Sequence, residues 1–325
     1  MLNRIAESFY WIGRYMERIE FTARIVEANY HSPYLLLEKE GKLESIKNRI
    51  LAILGEQPST KDLNPNDFLN LVIFDSTFDQ SILSCLAKAR QNVRMVRNQL
   101  PEKIWDSINS FYLWLKEQGS INSKKLLPYS FFEKILQYVS FFNGMSDSMM
   151  LRGNEWNFLQ VGRFIERAGN TVRIFQRSDD KQEWGKNDYE QLISILESAD
   201  ALGAFRKYHA NQIEVGKLFN FLVLNKAFPG SVSFSFHHFE MYLKIIENDF
   251  YSARYSTLNR LIAELKKDLP ASLEVEENSS RDLPTLLKEL QGRVMEIGIE
   301  MEVCFFYGGG EELSESIPQK KVAVL

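Results

Sequence analysis

The chain has 325 residues, 45% hydrophobic and 25% charged, a composition ordinary for a globular protein and long enough for one large or two ordinary cores. The net charge of −4 and the isoelectric point near 5.8 give no electrostatic indication of binding to nucleic acid or to an anionic membrane, so we expect neither. Two well-separated cysteines fit a reducing compartment, no apolar run approaches the ~20 residues of a membrane span, and charges interrupt the N-terminal apolar run that a signal peptide needs. We therefore expect a cytoplasmic protein.

The first predicted helix, residues 3 to 30, carries large side chains on both faces. One face is an apolar stripe at helical spacing, composed of Ile5, Phe9, Ile12, Met16, Ile19, Ala23 and Val26. The opposite face mixes charges with aromatic rings, at Glu7, Tyr10, Trp11, Arg14, Glu17, Arg18 and Phe21. A solvated face seldom carries such rings, so we expect this helix to be buried on both sides.

Helical periodicity and capping residues predict further helices along the rest of the chain. Their expected ranges are 34–54, 68–74, 76–100, 102–118, 131–150, 154–177, 188–209, 217–224, 232–246, 252–268 and 284–306. The alternating VSFSF that opens the 232–246 segment has no pairing partner and is assigned to a helix rather than a strand. The stretch 308–325 begins with three glycines, carries mixed charge and is expected to be a flexible C-terminal tail.

The sequence of the first helix recurs later in the chain. FYWIGRYMERIEFTARI, from Phe9 to Ile25, and FLQVGRFIERAGNTVRI, from Phe158 to Ile174, lie 149 positions apart and match at eight of seventeen positions. Both contain Gly-Arg-x-x-Glu-Arg, written GRxxER below. The sequence therefore predicts an all-α fold: a large helical bundle of two pseudo-repeats, each centred on a GRxxER helix. The first helical half is expected at 1–150, and the second, at 151–307, packs with it as one unit.

The motif and the residues around it form the candidate site. Helical spacing brings the first set of charges together with an aromatic ring on a surface of about one and a half turns. The second copy repeats the charges but not the rings. The candidate residues, for ligand binding or for a structural ion network, are Tyr10, Trp11, Arg14, Glu17, Arg18, Arg163, Glu166 and Arg167.

Two interpretations of these charges stay open. In the first, the two helices form a buried ion network near a pseudo-twofold axis and fix how the halves pack. In the second, the surplus of four arginines over two glutamates forms a fork for a carboxylate or phosphate. Glycine at 13 and again at 162 lowers helix stability by about 1 kcal/mol each relative to alanine, which indicates close approach of another backbone or a ligand.

Other patterns that carry chemistry are missing from the sequence. The four histidines lack a second His or Cys at ligand spacing, so we expect no metal. There is no dinucleotide fingerprint, phosphate loop or nucleophile elbow, so we expect no cofactor. Cys85 and Cys304 lie in apolar stretches typical of buried side chains. We interpret Arg90, Arg94 and Arg97 as a solvated stripe.

Three stretches carry a family likeness: MLNRIAESFYWIGRYMERIEFTARIVEANY at the start, GRFIERAGNTVR, and AKARQNVRMVRNQL. Together they resemble the bacterial Alpha-E family, an all-helical family with a Glu-Arg motif, over roughly residues 1 to 306. Ile19 and Gln91 depart from this likeness, since we would expect alanine and glutamate there. The resemblance implies a place beside ATP-grasp peptide-ligase-like proteins and transglutaminase-like proteins in a peptide synthesis or modification system. It does not imply that this chain catalyses a step.

Three functional hypotheses follow. The first is a non-catalytic accessory protein that binds such a partner, and an anionic ligand, through the GRxxER face. The alternative is an enzyme acting on a peptide carboxylate or amide, with Glu17 or Glu166 as general base and the arginines as an anion clamp. The third gives the motif a role in the fold only and leaves the functional surface unidentified.

Overall fold

Helices form all the regular secondary structure in the residues that the computed structural model describes, namely 3–30, 40–56, 63–122, 127–175, 189–210, 212–249, 254–271 and 283–307. Within these ranges the α-helices are α1 (Asn3–Tyr30), α2 (Glu40–Ile53), α3 (Pro65–Phe74), α4 (Ile82–Met95), α5 (Glu102–Asn122), α6 (Tyr129–Met149), α7 (Asn154–Arg173), α8 (Tyr189–Ser198), α9 (Leu202–His209), α10 (Val215–Phe219), α11 (Val232–Asp249), α12 (Tyr255–Ala271) and α13 (Leu283–Glu302). A 3₁₀ turn follows α4 at Arg97–Gln99, and π-helical turns extend α10 and α13 at Asn220–Leu224 and Val303–Tyr307. The predicted all-α class is confirmed.

The two helices that carry GRxxER, α1 and α7, lie at the centre of the molecule. They share its most extensive helix–helix contact. α1 also packs against α4, α6 and α8, while α7 is flanked by α11 and α13. Buried apolar side chains from all these helices belong to one hydrophobic core. The crossing of α1 and α7 is therefore surrounded by protein on most sides.

Both faces of α1 are buried, as its sequence predicts. Phe9, Ile12 and Ile19 of the apolar stripe have no exposed surface. On the opposite face Tyr10 is fully buried as well, and Arg14 is 4% exposed. Burying an aliphatic or aromatic side chain of this size stabilises the fold by about 1.5–3 kcal/mol, so the apolar stripe anchors α1 firmly in the core.

The helix predicted at 76–100 is shorter than expected at both ends. Asp75 Oδ1 accepts hydrogen bonds from the backbone N–H and the hydroxyl of Thr77, at 2.7 and 2.6 Å, and forms a turn before the helix. Ser81 then caps α4, because its hydroxyl accepts the backbone N–H of Ser84 at 3.0 Å. At its start the prediction was wrong because side-chain bonds to the backbone outweigh the apolar periodicity of these residues.

The single helix predicted at 188–209 is broken in two. α8 ends at Ser198, and α9 begins at Leu202. Between them Asp200 has a φ of 51°, in the left-handed region that aspartate enters more readily than most residues. The chain turns a corner at this residue, a feature that apolar periodicity alone does not reveal.

The arginines interpreted as a solvated stripe are not all solvated. Arg90 Nε donates to Asn109 Oδ1 at 2.8 Å, and the guanidinium carbon lies 4.9 Å from the centroid of the Tyr112 ring. Arg94 and Arg97 are exposed, as expected, although Arg97 also lies over an aromatic ring. The interpretation was therefore wrong for Arg90, whose side chain joins α4 to α5.

The remaining expectations concern the ends of the chain and the membrane. VSFSF opens α11, which confirms its helical assignment. The predicted tail at 308–325 and the first residues of the helix predicted at 34–54 lie outside the described residues. Within the described ranges no helix combines the length and the apolar character needed to cross a bilayer.

Candidate functional site

The two motif glycines bring the backbones of α1 and α7 into contact. A Cβ atom on Gly13 would lie 2.1 Å from the carbonyl oxygen of Leu159, and one on Gly162 would lie 2.0 Å from the carbonyl oxygen of Tyr10. No side chain fits at these distances, so glycine is required at both positions. The contacts are reciprocal, because Tyr10 and Leu159 each precede their own motif glycine by three residues. Of the two explanations for the repeated glycine, close approach of another backbone is confirmed.

Glu166 of α7 is bound by both arginines of the α1 motif. Arg14 Nε donates to Oε2 at 2.7 Å, and Arg18 Nε donates to Oε1 at 2.6 Å. Arg18 Nη2 adds a second bond to Oε2 at 3.1 Å. From the last turn of α7, Arg173 Nη2 donates to Oε1 at 3.3 Å. The carboxylate is only 2% exposed and lies among three guanidinium groups.

Glu17 of α1 is bound by the arginines of the α7 motif. Arg167 forms a bidentate ion pair with it, in which Nε lies 2.6 Å from Oε1 and Nη2 lies 2.9 Å from Oε2. Arg163 Nε lies 3.4 Å from Oε2, an ion pair without hydrogen-bond geometry. Each motif glutamate thus meets both motif arginines of the opposite helix. The six charged candidate residues come together at one crossing.

The two aromatic candidates lie against Arg14. Its guanidinium carbon is 4.7 Å from the centroid of the Trp11 ring, within cation–π range, and Nη1 donates to Tyr10 Oη at 3.3 Å. The same Nη1 donates to Glu302 Oε1 at 2.8 Å, at the end of α13. Burial opposes the charge on Arg14, but Tyr10, Glu166 and Glu302 outweigh burial and raise the pKa of this guanidinium. Arg14 is therefore a permanently charged centre of the network.

The pKa values of both motif carboxyls are lowered. Burial alone would raise the pKa of Glu166, but its three arginine neighbours outweigh burial and hold the pKa far below its usual range. Burial of Glu17 is likewise outweighed by its two arginine neighbours, and its pKa is lowered. Both carboxyls are ionised at neutral pH. A carboxylate stabilised in this way is a weak proton acceptor.

Positive charge exceeds negative charge in the network. The members are five arginines and three glutamates, namely Arg14, Arg18, Arg163, Arg167, Arg173, Glu17, Glu166 and Glu302. Burial lowers the pKa of Arg173, although Glu166 opposes this effect. Burial also lowers the pKa of Arg163, with help from Arg167. The surplus of positive charge is thus least compensated at Arg163 and Arg173 of α7.

Two members of this network, Arg173 and Glu302, and one hydrogen-bond partner of it, Asn170, were missed at the sequence level. Arg173 left a signal, because it and Arg24 are equivalent matched arginines of the two repeated stretches. Asn170, whose Oδ1 accepts a hydrogen bond from Arg173 Nη2, stands where α1 has Phe21, so the repeat gave no indication of it. Glu302 lies 288 residues from its partner Arg14 and in a helix without the motif. Only the packing of α13 brings it to the site.

The other groups considered for chemistry have structural surroundings. Among the described residues no group of three His, Cys, Asp or Glu side chains could hold a metal ion. Cys85 is buried, and burial raises the pKa of its thiol to about 11, the opposite of an activated nucleophile. The His238 ring stacks on Phe234 and Phe164, with centroids 4.0 and 5.0 Å away.

Comparison with known proteins identifies one family. The family model Alpha-E, described as a predicted alpha-helical domain with a conserved ER motif, matches residues 1–306. No curated protein and no solved structure is significantly similar to the chain.

Proposed function

This chain belongs to the Alpha-E family, and we propose that it is a non-catalytic accessory protein of a peptide synthesis or modification system. Its partners in this proposal are an ATP-grasp peptide-ligase-like protein and a transglutaminase-like protein in the cytoplasm. The chain supplies a rigid helical body with a binding face, and the partners supply the chemistry.

One observation supports the non-catalytic part of the proposal. Both motif carboxylates are already held by arginines of the opposite helix, at distances of 2.6–2.9 Å for the shortest bonds. Their pKa values are lowered, so neither Glu17 nor Glu166 is suited to take a proton from a substrate at neutral pH. This counts against the alternative in which one of them is the general base of an enzyme.

We further propose that the bundle is built from two pseudo-repeats clamped together by their motifs. Each contact that one motif makes has an equivalent contact of the other motif, at residue numbers that differ by 149. The contact of Gly13 with Leu159 has its counterpart in that of Gly162 with Tyr10. In the same way, the ion pair of Arg14 with Glu166 corresponds to that of Arg163 with Glu17. Reciprocal contacts of this kind are expected when two related helices pack around a pseudo-twofold axis.

The α7 arginines are the part of the GRxxER face that is open to a partner. The side chains of Arg163 and Arg167 are 25% and 16% exposed, whereas those of Arg14 and Arg18 are 5% exposed. Arg163 Nε is itself buried and lies 3.4 Å from Glu17 Oε2. The exposed part of this cationic side chain remains available to an acidic side chain or other anionic group of a partner.

Copurification tests this function. The tagged chain would be co-expressed with the ATP-grasp protein of the same organism, and we expect the two to elute together at low and physiological salt. Arg163→Gln is expected to weaken the complex, while Arg94→Gln, at an exposed arginine of α4, serves as the matched control. If the wild-type proteins fail to copurify at both salt concentrations, the proposal is contradicted.

A direct activity assay separates the accessory role from the enzymatic alternative. The purified chain would be incubated with a pool of peptides, and the products followed by mass spectrometry. We expect no turnover by the chain alone. Turnover that disappears in Glu17→Gln, with the helical circular dichroism signal retained, would support the alternative instead.

A further inference from the structure

Three arginines on α4 and on the turn that follows it form a positively charged surface that the proposed function does not use. Arg90, Arg94 and Arg97 recur at spacings of four and three residues, so they lie along one side of this part of the chain. Their stretch, AKARQNVRMVRNQL, is one of the three that carry the family likeness. The three arginines, together with Trp105 and Tyr112 of α5, are named the α4 arginine surface.

Two of the arginines lie against the same aromatic ring. The guanidinium carbons of Arg90 and Arg97 are 5.4 and 5.3 Å from the centroid of the Trp105 ring, within cation–π range. Arg90 is held further by a hydrogen bond to Asn109 and by the Tyr112 ring. These contacts restrict both side chains before any partner binds. Less conformational entropy is therefore lost when a ligand immobilises them.

The α4 arginine surface is accessible to a partner. Arg94 and Arg97 are exposed, and Trp105 is half-buried. Met95, next to Arg94 in the chain, has 61% of its surface exposed. Trp, Tyr and Arg are the residues most enriched at the energetic centres of protein interfaces, and an exposed Met adapts its shape to a partner. The composition of this surface is therefore that of a protein-binding site.

The three arginines form no ion pair with any residue in the described ranges. Several exposed arginines of other segments do form one, with a carboxylate 2.7–2.8 Å away, as at Arg152, Arg254 and Arg260. The charges of the α4 arginine surface are thus not neutralised by direct contact with a carboxylate of the described chain.

The local charge balance is positive. Residues 90–106 carry four basic and two acidic side chains, in a chain whose net charge is −4. The two acidic side chains, Glu102 and Asp106, are exposed near the start of α5, and neither pairs with an arginine among the residues that the structure describes. A local surplus of positive charge attracts anionic groups.

The corresponding surface of α11 lacks this surplus. α4 and α11 begin in the same way, because the hydroxyls of Ser81 and Ser231 each accept the backbone N–H of the residue three positions later, at 3.0 Å. When the helices are aligned on these serines, the three arginines correspond to Glu240, Lys244 and Glu247. Glu240 is bound by both Lys244 and Lys266. A helix in this position therefore does not need unpaired arginines in order to pack.

We propose that the α4 arginine surface binds an acidic segment of a partner protein. Carboxylates of the segment pair with the guanidinium groups, and its other side chains contact Trp105 and Met95. A nucleic acid or an anionic membrane would extend beyond this surface and be repelled by the acidic remainder of the chain, whereas a short segment contacts the arginines alone. The proposal goes beyond the accessory function and does not involve Arg163 or the ATP-grasp protein.

Fluorescence anisotropy with the full chain tests the proposal. The probe is a fluorescein-labelled decapeptide of alternating glutamate and glycine, and the neutral control probe has glutamine in place of glutamate. At low salt we expect the acidic probe to bind at least ten-fold more tightly than the neutral one. Its affinity should fall as the salt concentration rises, because salt screens ion pairs at an exposed surface.

Two double variants locate the binding site. Arg94→Gln combined with Arg97→Gln removes two exposed charges of the α4 arginine surface and is expected to weaken binding of the acidic probe at least ten-fold. Arg152→Gln combined with Arg260→Gln removes the same number of charges from exposed arginines elsewhere and should bind the probe as the wild type does. All four side chains are exposed, so both variants are expected to fold, which circular dichroism confirms.

Three results would overturn the proposal. The first is equal affinity for the acidic and the neutral probe. The second is a double variant at Arg94 and Arg97 that binds the acidic probe no more weakly than the matched double variant does, which would mean that any arginine attracts it equally. The third is tighter binding of a ten-nucleotide oligothymidylate than of the acidic probe, which would assign the surface to nucleic acid. A failed copurification with the ATP-grasp protein leaves these results unaffected, so the two proposals fail separately.

Discussion

Glu17 and Glu166 exchange partners across the α1–α7 crossing: each is bound by the motif arginines of the helix that carries the other. Neither helix satisfies its own motif charges. The buried charges of α1 are stable only when α7 is docked, and the converse holds as well. The motif therefore couples the packing of the two helices, in addition to the apolar contacts that both make.

Replacing Glu166 by Gln is expected to destabilise the protein by about 3–5 kcal/mol. The substitution leaves Arg14, Arg18 and Arg173 buried without their shared carboxylate, the situation that breaking a buried pair creates. Urea unfolding followed by circular dichroism measures the free energy. The exposed control Glu264→Gln is expected to change it by less than about 0.5 kcal/mol. Equal effects of the two substitutions would contradict a buried network.

Alanine in place of Gly13 or Gly162 is expected to lower the free energy of unfolding by at least about 2 kcal/mol, because the new Cβ would overlap a backbone carbonyl oxygen of the opposite helix. Gly144 of α6 is the matched control, since a Cβ there meets nothing within 4 Å. Gly144→Ala should stabilise the protein by about 0.5–1 kcal/mol through helix propensity alone. In the same urea assay, Gly13→Ala and Gly162→Ala should lower the free energy of unfolding, whereas Gly144→Ala should raise it. Stabilisation by Gly13→Ala would contradict the close contact.

Lowering the pH is expected to destabilise the folded protein, because it protonates the motif carboxyls. In the folded protein the pKa of Glu166 lies below the ordinary value of 4.5. The ionised carboxylate therefore stabilises the fold fully above about pH 4.5, and this stabilisation is lost as the pH falls below that value. Glu17 acts in the same direction. The free energy of unfolding should therefore decrease from about pH 5 towards pH 3. In Glu166→Gln this decrease should be shallower, and an unchanged slope would assign the acid sensitivity to other groups.

Glycine at position 210 is expected to stabilise the protein by about 1 kcal/mol. Ala210, after the last residue of α9, has φ 53° and ψ −132°, a conformation that residues with a Cβ rarely adopt. The Ala210→Gly substitution relieves the strain of this conformation, and the side chain it removes is exposed. Thermal unfolding measures the effect. A lower unfolding temperature would show that the greater conformational entropy of glycine in the unfolded chain outweighs the relief of backbone strain.

The sequence was sufficient for the elements that depend on local patterns. The apolar stripe and the buried second face of α1 follow from helical spacing, and the position of α7 follows from the repeated GRxxER stretch. The break at Asp200 and the cap at Ser81 could not be derived in the same way. Both depend on single residues whose backbone or side-chain bonding overrides the periodicity of their neighbours.

For the site, the sequence supplied the residues but not their connections. The repeat identified six charged side chains, yet periodicity does not tell which helix supplies each partner. Glu302 and Asn170 carried no signal, because one comes from a distant helix and the other has no counterpart in α1.

The most direct test of the reciprocal clamp is a double-mutant cycle on Glu17 and Arg167, measured by urea unfolding of the wild type, Glu17→Gln, Arg167→Gln and the double variant. We expect a coupling energy of about 1–3 kcal/mol, because this two-pronged pair connects two helices and its carboxylate is 9% exposed. The exposed pair of Arg260 and Glu264 within α12, treated in the same way, should give about 0.3–0.5 kcal/mol. A coupling energy for Glu17 and Arg167 no larger than that of the exposed pair would contradict the account.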